Sequence, residues 1–372
     1  MILEKRAHIC MNALVLKDVN KIELTDVAKP IPDKGEVLVK VMAAGVCGSD
    51  IPRAYRDGAH NMPLIIGHEF SGIVENVSEG VSESWINKRV GVFPLIPCRS
   101  CKPCRGKKYE MCKNYSYLGS RRDGGFAEYV AVPEWNLIEL PDNVSYEAAA
   151  MLEPMAVATH AMRRAGVTPE DTVVVCGLGT IGTLLTMFLI DRGVKRIITV
   201  GNKEFQKKTV MSLGIPEEYY CDSRVNDSKE FINKLTDNEG ADVFFECVGR
   251  NETVSLAVDS VGASGRICYV GNPASDMTFE KNIYWKILRN QITVTGTWNS
   301  SYYGEDESAA ENAGGIETSD DWHYVLERLM KGTINPEKLI THKYPLSELT
   351  KGMEIMRDKS EDYIKVMYVF GD

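Results

Sequence analysis

The chain contains no apolar run near the ~20 residues that a membrane-spanning helix needs, and none of its 372 residues falls in an internal repeat or a low-complexity tract. Its first ten residues carry Lys5, Arg6 and His8 without an apolar core, so no signal peptide is expected there and a cytoplasmic setting follows as the expectation. Basic charge is in deficit: 43 Lys and Arg face 52 Asp and Glu, a net charge of −9. That balance argues against a surface built to neutralise nucleic-acid phosphates. With 44% hydrophobic and 26% charged residues, disorder and a collagen-like chain are also excluded.

What stands out instead is cysteine, of which there are ten. In a reducing compartment structural disulfides are rare, and tight clustering points to metal. Cys98, Cys101, Cys104 and Cys112 lie together in a lobe spanning about 94–115. Four thiolates on one short loop suit tetrahedral zinc, and such a closed set leaves no open coordination place, so the site is expected to be structural. Pro97, Pro103 and Gly106 turn the loop, and Lys102, Arg105, Lys107 and Lys108 offset the thiolate charge. An iron–sulfur cluster is the competing reading.

The length suits two domains of ~100–200 residues each. The first ~150 residues are rich in Val, Ile, Gly and Pro, and "EVLVKVMAAGV" and "FAEYVAV" read as strands. At Ser145 the pattern changes to one helix, with Ser145 as N-cap and Gly166 as stop. From Asp171 to about Thr297 the strands "TVVVCGLG", "RIITVGN", "ADVFFECVG", "GRICYVGN" and "QITVTGTW" alternate with helical stretches. That alternation predicts an α/β unit with a doubly wound parallel sheet. The remainder holds strands and the helix "DWHYVLERLMKG". The simplest assembly is a domain built from both chain ends and interrupted by the parallel-sheet unit.

A second metal site is indicated by "GVCGSD" with Cys47, Ser49 and Asp50, by "GHEFSG" with His68 and Glu69, and by "MLEP" with Glu153. A thiolate, an imidazole and a carboxylate make a mixed set with room for water or substrate. Taken singly, a Cys or His is more often a core residue than a ligand.

In this order the motifs resemble the zinc-dependent medium-chain alcohol/polyol dehydrogenases, from about Met11 to Asp372. Within that family "DGAHNMPLIIGHEFSG" and "GSRRDGGFAEY" look most like the galactitol-phosphate dehydrogenase branch. The resemblance implies a β-rich GroES-like catalytic domain in two parts, 1–156 and 299–372, around an inserted Rossmann domain at 157–298. It implies catalytic zinc on Cys47, His68 and Glu153, with Glu69 as a carboxylate able to exchange in, and a second, structural zinc on the four-cysteine lobe. Two departures are visible: Ser78 stands where the family has Gly, and Ile86-Asn87-Lys88 replaces a Pro-Gly-Asp turn. Asn87 tolerates positive φ, so the turn is expected to survive.

Gly177, Gly179 and Gly182, with Thr180 and Ile181 between them, follow a strand and open a helix. That context lets backbone approach a pyrophosphate at a helix N-terminus. Val248 and Gly271, on later strands, are further coenzyme candidates. The acid that normally ends the next strand and binds the ribose hydroxyls is missing, and Gly201, Asn202 and Lys203 stand there. These residues would accept a 2′-phosphate, so NADP, or use of both coenzymes, is expected over strict NAD, with Glu204 as a substitute for the missing acid.

The expected reaction transfers hydride between a secondary alcohol of a polyol or polyol phosphate and the nicotinamide. Ser49 is placed to take the hydroxyl proton, or else serves as a turn hydroxyl. Arg121 and Arg122 suit a phosphate, or form surface ion pairs. His60, Trp298 and Asn299 are further substrate candidates. Oxidation of sorbitol, butanediol or threonine is the sibling reading, and a non-catalytic zinc-stabilised binding protein the reading from another class. The acidic stretch Tyr303 to Asp321 reads as a solvated loop, with a lid or oligomer contact as alternative. The family suggests homodimers or homotetramers.

Overall fold

The computed structural model describes residues 10–273, 275–304 and 319–371. The chain divides into two compact units, Met1–Glu153 with Tyr302–Asp372, and Pro154–Ser301. Most of the acidic stretch 303–321 and the leader 1–9 lie outside the described residues. The described ends of that stretch are joined, the Tyr303 N–H donating to Asp320 Oδ2 at 2.8 Å.

The first unit is built on a seven-stranded sheet, with Glu36–Val46 at its centre. This strand is antiparallel to Glu69–Val77, to Tyr129–Pro133 and to Lys365–Val369. Its near-continuous apolar sequence follows from that position: Val37, Val39, Val41, Ala43 and Ala44 are all fully buried. Each such Val contributes about 1.5–3 kcal/mol relative to exposure. A three-stranded sheet, Lys21–Ala28, Cys10–Asp18 and Leu64–Ile65, packs its buried residues into the same core. Asn87 has φ +67°, so the turn lacking its usual glycine is made by asparagine. Ser78 is used rather than merely tolerated: its hydroxyl accepts from Glu36 N–H at 3.1 Å and donates to Asp33 C=O at 2.6 Å.

The single helix expected after Ser145 is two. Ser145 caps Tyr146–Ala150 by accepting from Ala148 N–H, the chain then turns at Met151, and a second helix runs Leu152–Arg164. Pro154 explains the break, because it has no N–H for the Ala150 carbonyl and its ring would strike that carbonyl in a continuous helix. The interruption sets Glu153 in the first turn of the second helix. Near the chain end Asp321–Lys331 forms the expected helix, closed by Gly332 at φ +67°.

The second unit holds a six-stranded sheet in the order Tyr220–Asp222, Arg196–Gly201, Thr172–Cys176, Ala241–Glu246, Val261–Tyr269, Thr293–Gly296. Every pairing is parallel. All five residues of Thr172–Cys176 are buried, as a central parallel strand requires. The strand order reverses between Thr172–Cys176 and Ala241–Glu246, the switch point at which such sheets bind ligands beyond their carboxyl ends.

Candidate metal centre and dinucleotide site

Cys47 follows the central strand Glu36–Val46, and His68 immediately precedes the neighbouring strand Glu69–Val77, whose Glu69 pairs with Gly45. Sheet register therefore brings the two sequence motifs together. One ligand atom each from Cys47, His68 and Glu69 lies within 4.8 Å of the others, and His68 and Glu69 are buried. Sulfur, imidazole and carboxylate converging in this way fit a zinc ion. Ser49 donates to Cys47 Sγ at 3.3 Å.

Glu153 does not belong to that close triple. It stands beside it, accepting from the Tyr117 hydroxyl at 3.2 Å, and burial pushes its carboxyl up to about 7 despite the opposing pull of His68. The Tyr117 ring also meets the His68 ring edge-on at 5.8 Å. Glu69 is the nearer carboxylate, and Lys365 holds it in a fully buried ion pair. Burial by itself would depress the His68 pKa, but Asp50, with Oδ1 3.5 Å from His68 Nδ1, and Cys47 lift it well above the usual histidine value. Asp50 is itself fully buried and is also paired with Arg53 at 2.5 Å. A carboxylate beside a ring nitrogen is the kind of neighbour that orients a metal-binding histidine.

The four lobe cysteines also converge within 4.8 Å. Their sulfurs are 3.4 Å apart for Cys101–Cys104, 3.9 Å for Cys101–Cys112 and 4.0 Å for Cys98–Cys104. Four sulfurs ~2.3 Å from one zinc sit ~3.8 Å apart, whereas a disulfide needs ~2.05 Å. The lobe therefore fits a single tetrahedral ion. Hydrogen bonds from Ser100 pull the Cys98 thiol down to about 5, while burial and the neighbouring sulfurs push Cys104 up to about 12.

In the second unit Gly177 has φ +97°, and a side chain at Gly182 would collide with the Gly177 carbonyl. Gly179 caps the helix Thr180–Asp191 without any side-chain hydrogen bond, and a Cβ there would meet nothing within 4 Å. This open cradle over a helix N-terminus fits a pyrophosphate. Val248 packs where a side chain at Gly177 would go, and Gly271 packs against Val248 and Gly249. Buried Glu246 ties these loops together, accepting from the N–H groups of Val248 and Gly249 at 2.8 Å each and from the Thr253 hydroxyl at 2.7 Å.

Comparison with known proteins agrees with this geometry. Residues 33–142 match the alcohol dehydrogenase GroES-like domain, and residues 180–313 match the zinc-binding dehydrogenase family. Galactitol 1-phosphate 5-dehydrogenase of Escherichia coli K12 is 31% identical over 84% of this chain and 86% of its own. Sorbitol dehydrogenase of Halalkalibacterium halodurans is 32% identical over 91% of this chain and 93% of its own. The crystal structure of galactitol-1-phosphate dehydrogenase from Escherichia coli superposes with a TM-score of 0.86 at 28% identity, covering 96% of this chain and all of that one. The chain belongs to the zinc-dependent medium-chain alcohol/polyol dehydrogenases. It is thus an oxidoreductase acting on CH–OH groups.

The substrate candidates of this dehydrogenase separate in space. Arg121 lies 4.1 Å over the Tyr115 ring and donates to the Tyr115 carbonyl at 3.0 Å. Tyr115 in turn packs against Tyr117, 6.0 Å between ring centres, so Arg121 is two rings from Glu153. Arg122 does not join it. It forms a 2.6 Å ion pair with buried Glu36. His60 is exposed. In the second unit Trp298 is 58% exposed and Asn299 has φ +54°.

Sequence reasoning did not connect Lys365 or Tyr117 with the candidate metal centre, and it quoted Asp50 without giving it a role. A lysine inside the apolar run "YIKVMYVF" was the available signal for Lys365, since a lysine there is buried only if paired. Asp50 stood in "GVCGSD" beside the residues singled out. Tyr117 carried no signal. The coenzyme end also held an unread feature. A Cβ on Gly201 would sit 2.8 Å from Gln206 Oε1 and 2.9 Å from the Tyr220 hydroxyl. Those groups are engaged, Gln206 with the Asn202 N–H at 3.0 Å and Tyr220 with the Lys203 carbonyl at 2.9 Å.

Proposed function

We propose that this dehydrogenase oxidises a secondary alcohol of a polyol phosphate to the ketose phosphate, reversibly, with NADP as the preferred coenzyme. The observation that carries the reading is the buried convergence of Cys47, His68 and Glu69 beside Glu153, all in the GroES-like unit. In it Cys47, His68 and Glu153 hold a catalytic zinc, Glu69 stands by as an alternative ligand, and the four-cysteine lobe holds a structural one. When bound, the zinc supplies a Lewis acid for the substrate hydroxyl and the nicotinamide a hydride acceptor.

The chain's own residues do the rest. Ser49, half-exposed and hydrogen-bonded to Cys47 Sγ, receives the hydroxyl proton and passes it to solvent. Tyr117 holds Glu153 in one rotamer, and Asp50 holds His68. Arg121, clamped on Tyr115 with guanidinium donors to spare, receives the phosphate. Gly177, Gly179 and Gly182 cradle the pyrophosphate. Asn202 and Lys203 face the adenosine ribose, where the filled space at Gly201 leaves no place for an acid.

Support for a polyol phosphate comes from the galactitol 1-phosphate 5-dehydrogenase likeness together with Arg121. Its rival, an unphosphorylated polyol, is favoured by the equally strong sorbitol dehydrogenase likeness and by the loss of Arg122 to Glu36. Coenzyme reduction with a panel of polyols and their phosphates, under NAD and NADP in turn, decides between them. We infer a cytoplasmic homo-oligomer from the likeness to the medium-chain dehydrogenases. The edge strand Thr293–Gly296 and the helix Lys281–Arg289 leave Tyr284, Trp285, Leu288 and Val294 exposed, a face suited to a second copy.

A further inference from the structure

A cavity of about 350 Å³ opens in the first unit, and none of Cys47, His68, Glu69 and Glu153 lines it. Close-packed interiors leave few voids larger than a water molecule, whereas small-molecule pockets run from ~300 Å³ upward. Strands of both sheets supply its apolar wall: Met11 and Val15 from Cys10–Asp18, Val27 from Lys21–Ala28, Leu64 and Ile65, and Tyr129 from Tyr129–Pro133.

Four charged side chains interrupt that wall, and they are linked to one another. Glu36, only 7% exposed, pairs with Arg122 at 2.6 Å through one oxygen and accepts from the Asp33 N–H at 3.1 Å through the other. Asp123 follows Arg122, and its Oδ1 is fixed by the Ile65 N–H at 2.9 Å. Glu36 and Arg122 cancel. The exposed carboxylates of Asp33 and Asp123 enter no ion pair among the described residues, and the lysines beside them in the fold are taken, Lys29 by Glu75 and Lys34 by Glu79, each at 2.6 Å. The cavity therefore joins an apolar box to two uncompensated negative charges.

We propose that this cavity is a second small-molecule site, distinct from the metal centre, that takes a compact apolar amine as its ammonium ion. The apolar body fills the space lined by Val15, Leu64 and Tyr129, and the ammonium stands at Asp33 and Asp123. Charge complementarity selects this class. A carboxylate or phosphate would meet two unpaired acids, and a neutral molecule of the same shape would gain only the apolar contact. The inference depends on neither the metal reading nor the coenzyme reading.

The test titrates the full chain calorimetrically, without coenzyme, using three probes of similar shape: 2-phenylethylammonium, 2-phenylethanol and 3-phenylpropanoate. One ammonium ion should bind per chain, about fivefold more tightly than the alcohol, as an exposed ion pair allows, and about tenfold or more above the carboxylate. Asp33→Asn/Asp123→Asn should erase the preference for the ammonium ion and leave the alcohol affinity within about twofold. Ala131 is half-buried in the cavity wall. Ala131→Phe should fill the space and weaken ammonium and alcohol alike by about tenfold or more, with coenzyme reduction unchanged. Should Ala131→Phe fail to fold, the order of the three probes and the paired asparagine variant still decide. Equal affinity for all three probes overturns the proposal, as does an absence of measurable ammonium binding. Ammonium binding undiminished in folded Ala131→Phe overturns it too, since the amine would then sit elsewhere on the chain.

Discussion

The Tyr117 hydroxyl donates to Glu153 Oε1 at 3.2 Å while its ring packs edge-on against His68. One side chain thus steadies two of the residues assigned to the catalytic zinc. Tyr117→Phe keeps the ring contact and deletes the hydrogen bond. Loss of such a supporting bond costs roughly 10–100-fold in metal affinity. Dialysis against a graded chelator should therefore strip one zinc from Tyr117→Phe at lower chelator concentration than from the unaltered chain, with the lobe zinc unmoved.

Arg121 and Arg122 are neighbours in sequence with separate assignments. A charge-assisted phosphate contact is worth ~1.5–3 kcal/mol, so Arg121→Ala should raise KM for a phosphorylated polyol about 10–100-fold and for its unphosphorylated form by less than about twofold. Arg122→Ala should leave both KM values alone. It instead strands buried Glu36, and a loss of ~1–3 kcal/mol in unfolding free energy is expected from denaturant titration. Equal KM effects of Arg121→Ala on both substrates would remove the phosphate assignment.

Coenzyme choice is expected to favour NADPH over NADH by about tenfold or more in kcat/KM, about 1.4 kcal/mol or more of discrimination. Restoring the missing acid should not suffice. Gly201→Asp places a Cβ 2.8 Å from Gln206 Oε1 and 2.9 Å from the Tyr220 hydroxyl, so it should weaken both coenzymes. Combined with Gln206→Ala, which clears the carboxamide, it should turn the preference toward NADH. Calorimetric titration with the adenosine fragments carrying and lacking a 2′-phosphate checks the same point without turnover.

What could be read in advance was what lies close in sequence. The glycine turn Gly177–Gly182 sits between its own strand and helix, and the four lobe cysteines share one loop, so local spacing carried both. Cys47 and His68 became a pair through family resemblance, and their physical reason is register: Gly45 opposite Glu69 in adjacent antiparallel strands. Long-range contacts were not legible. Lys365 and Glu69 stand at opposite ends of the chain, and nothing near either announces the other. The break at Met151 was readable in principle, since Pro154 forbids one continuous helix, but Ala-rich composition hid it. The ion pair of Arg122 with Glu36 was not legible either, because Glu36 comes from a distant strand.

Burial holds the Glu153 carboxyl at about 7, above its ordinary 4.5. Between these values the metal-free folded chain keeps a proton that the unfolded chain has lost. The sign follows: this group favours the folded metal-free state below about pH 4.5, and its contribution is lost as pH rises through 7. Metal binding must displace the same proton, so zinc affinity should climb with pH across this window. Glu153→Gln should lower the slope of log affinity against pH there by about one proton. Parallel slopes for the two proteins would show that Glu153 does not take part.

The most direct test is the zinc content of Cys47→Ser, measured by atomic emission alongside alcohol-dependent coenzyme reduction. The unaltered chain should carry two zinc ions and reduce the coenzyme; Cys47→Ser should keep one, remain folded through its intact cysteine lobe, and show no reduction. Two zinc ions retained in an active Cys47→Ser would contradict the catalytic centre assigned to Cys47, His68 and Glu153.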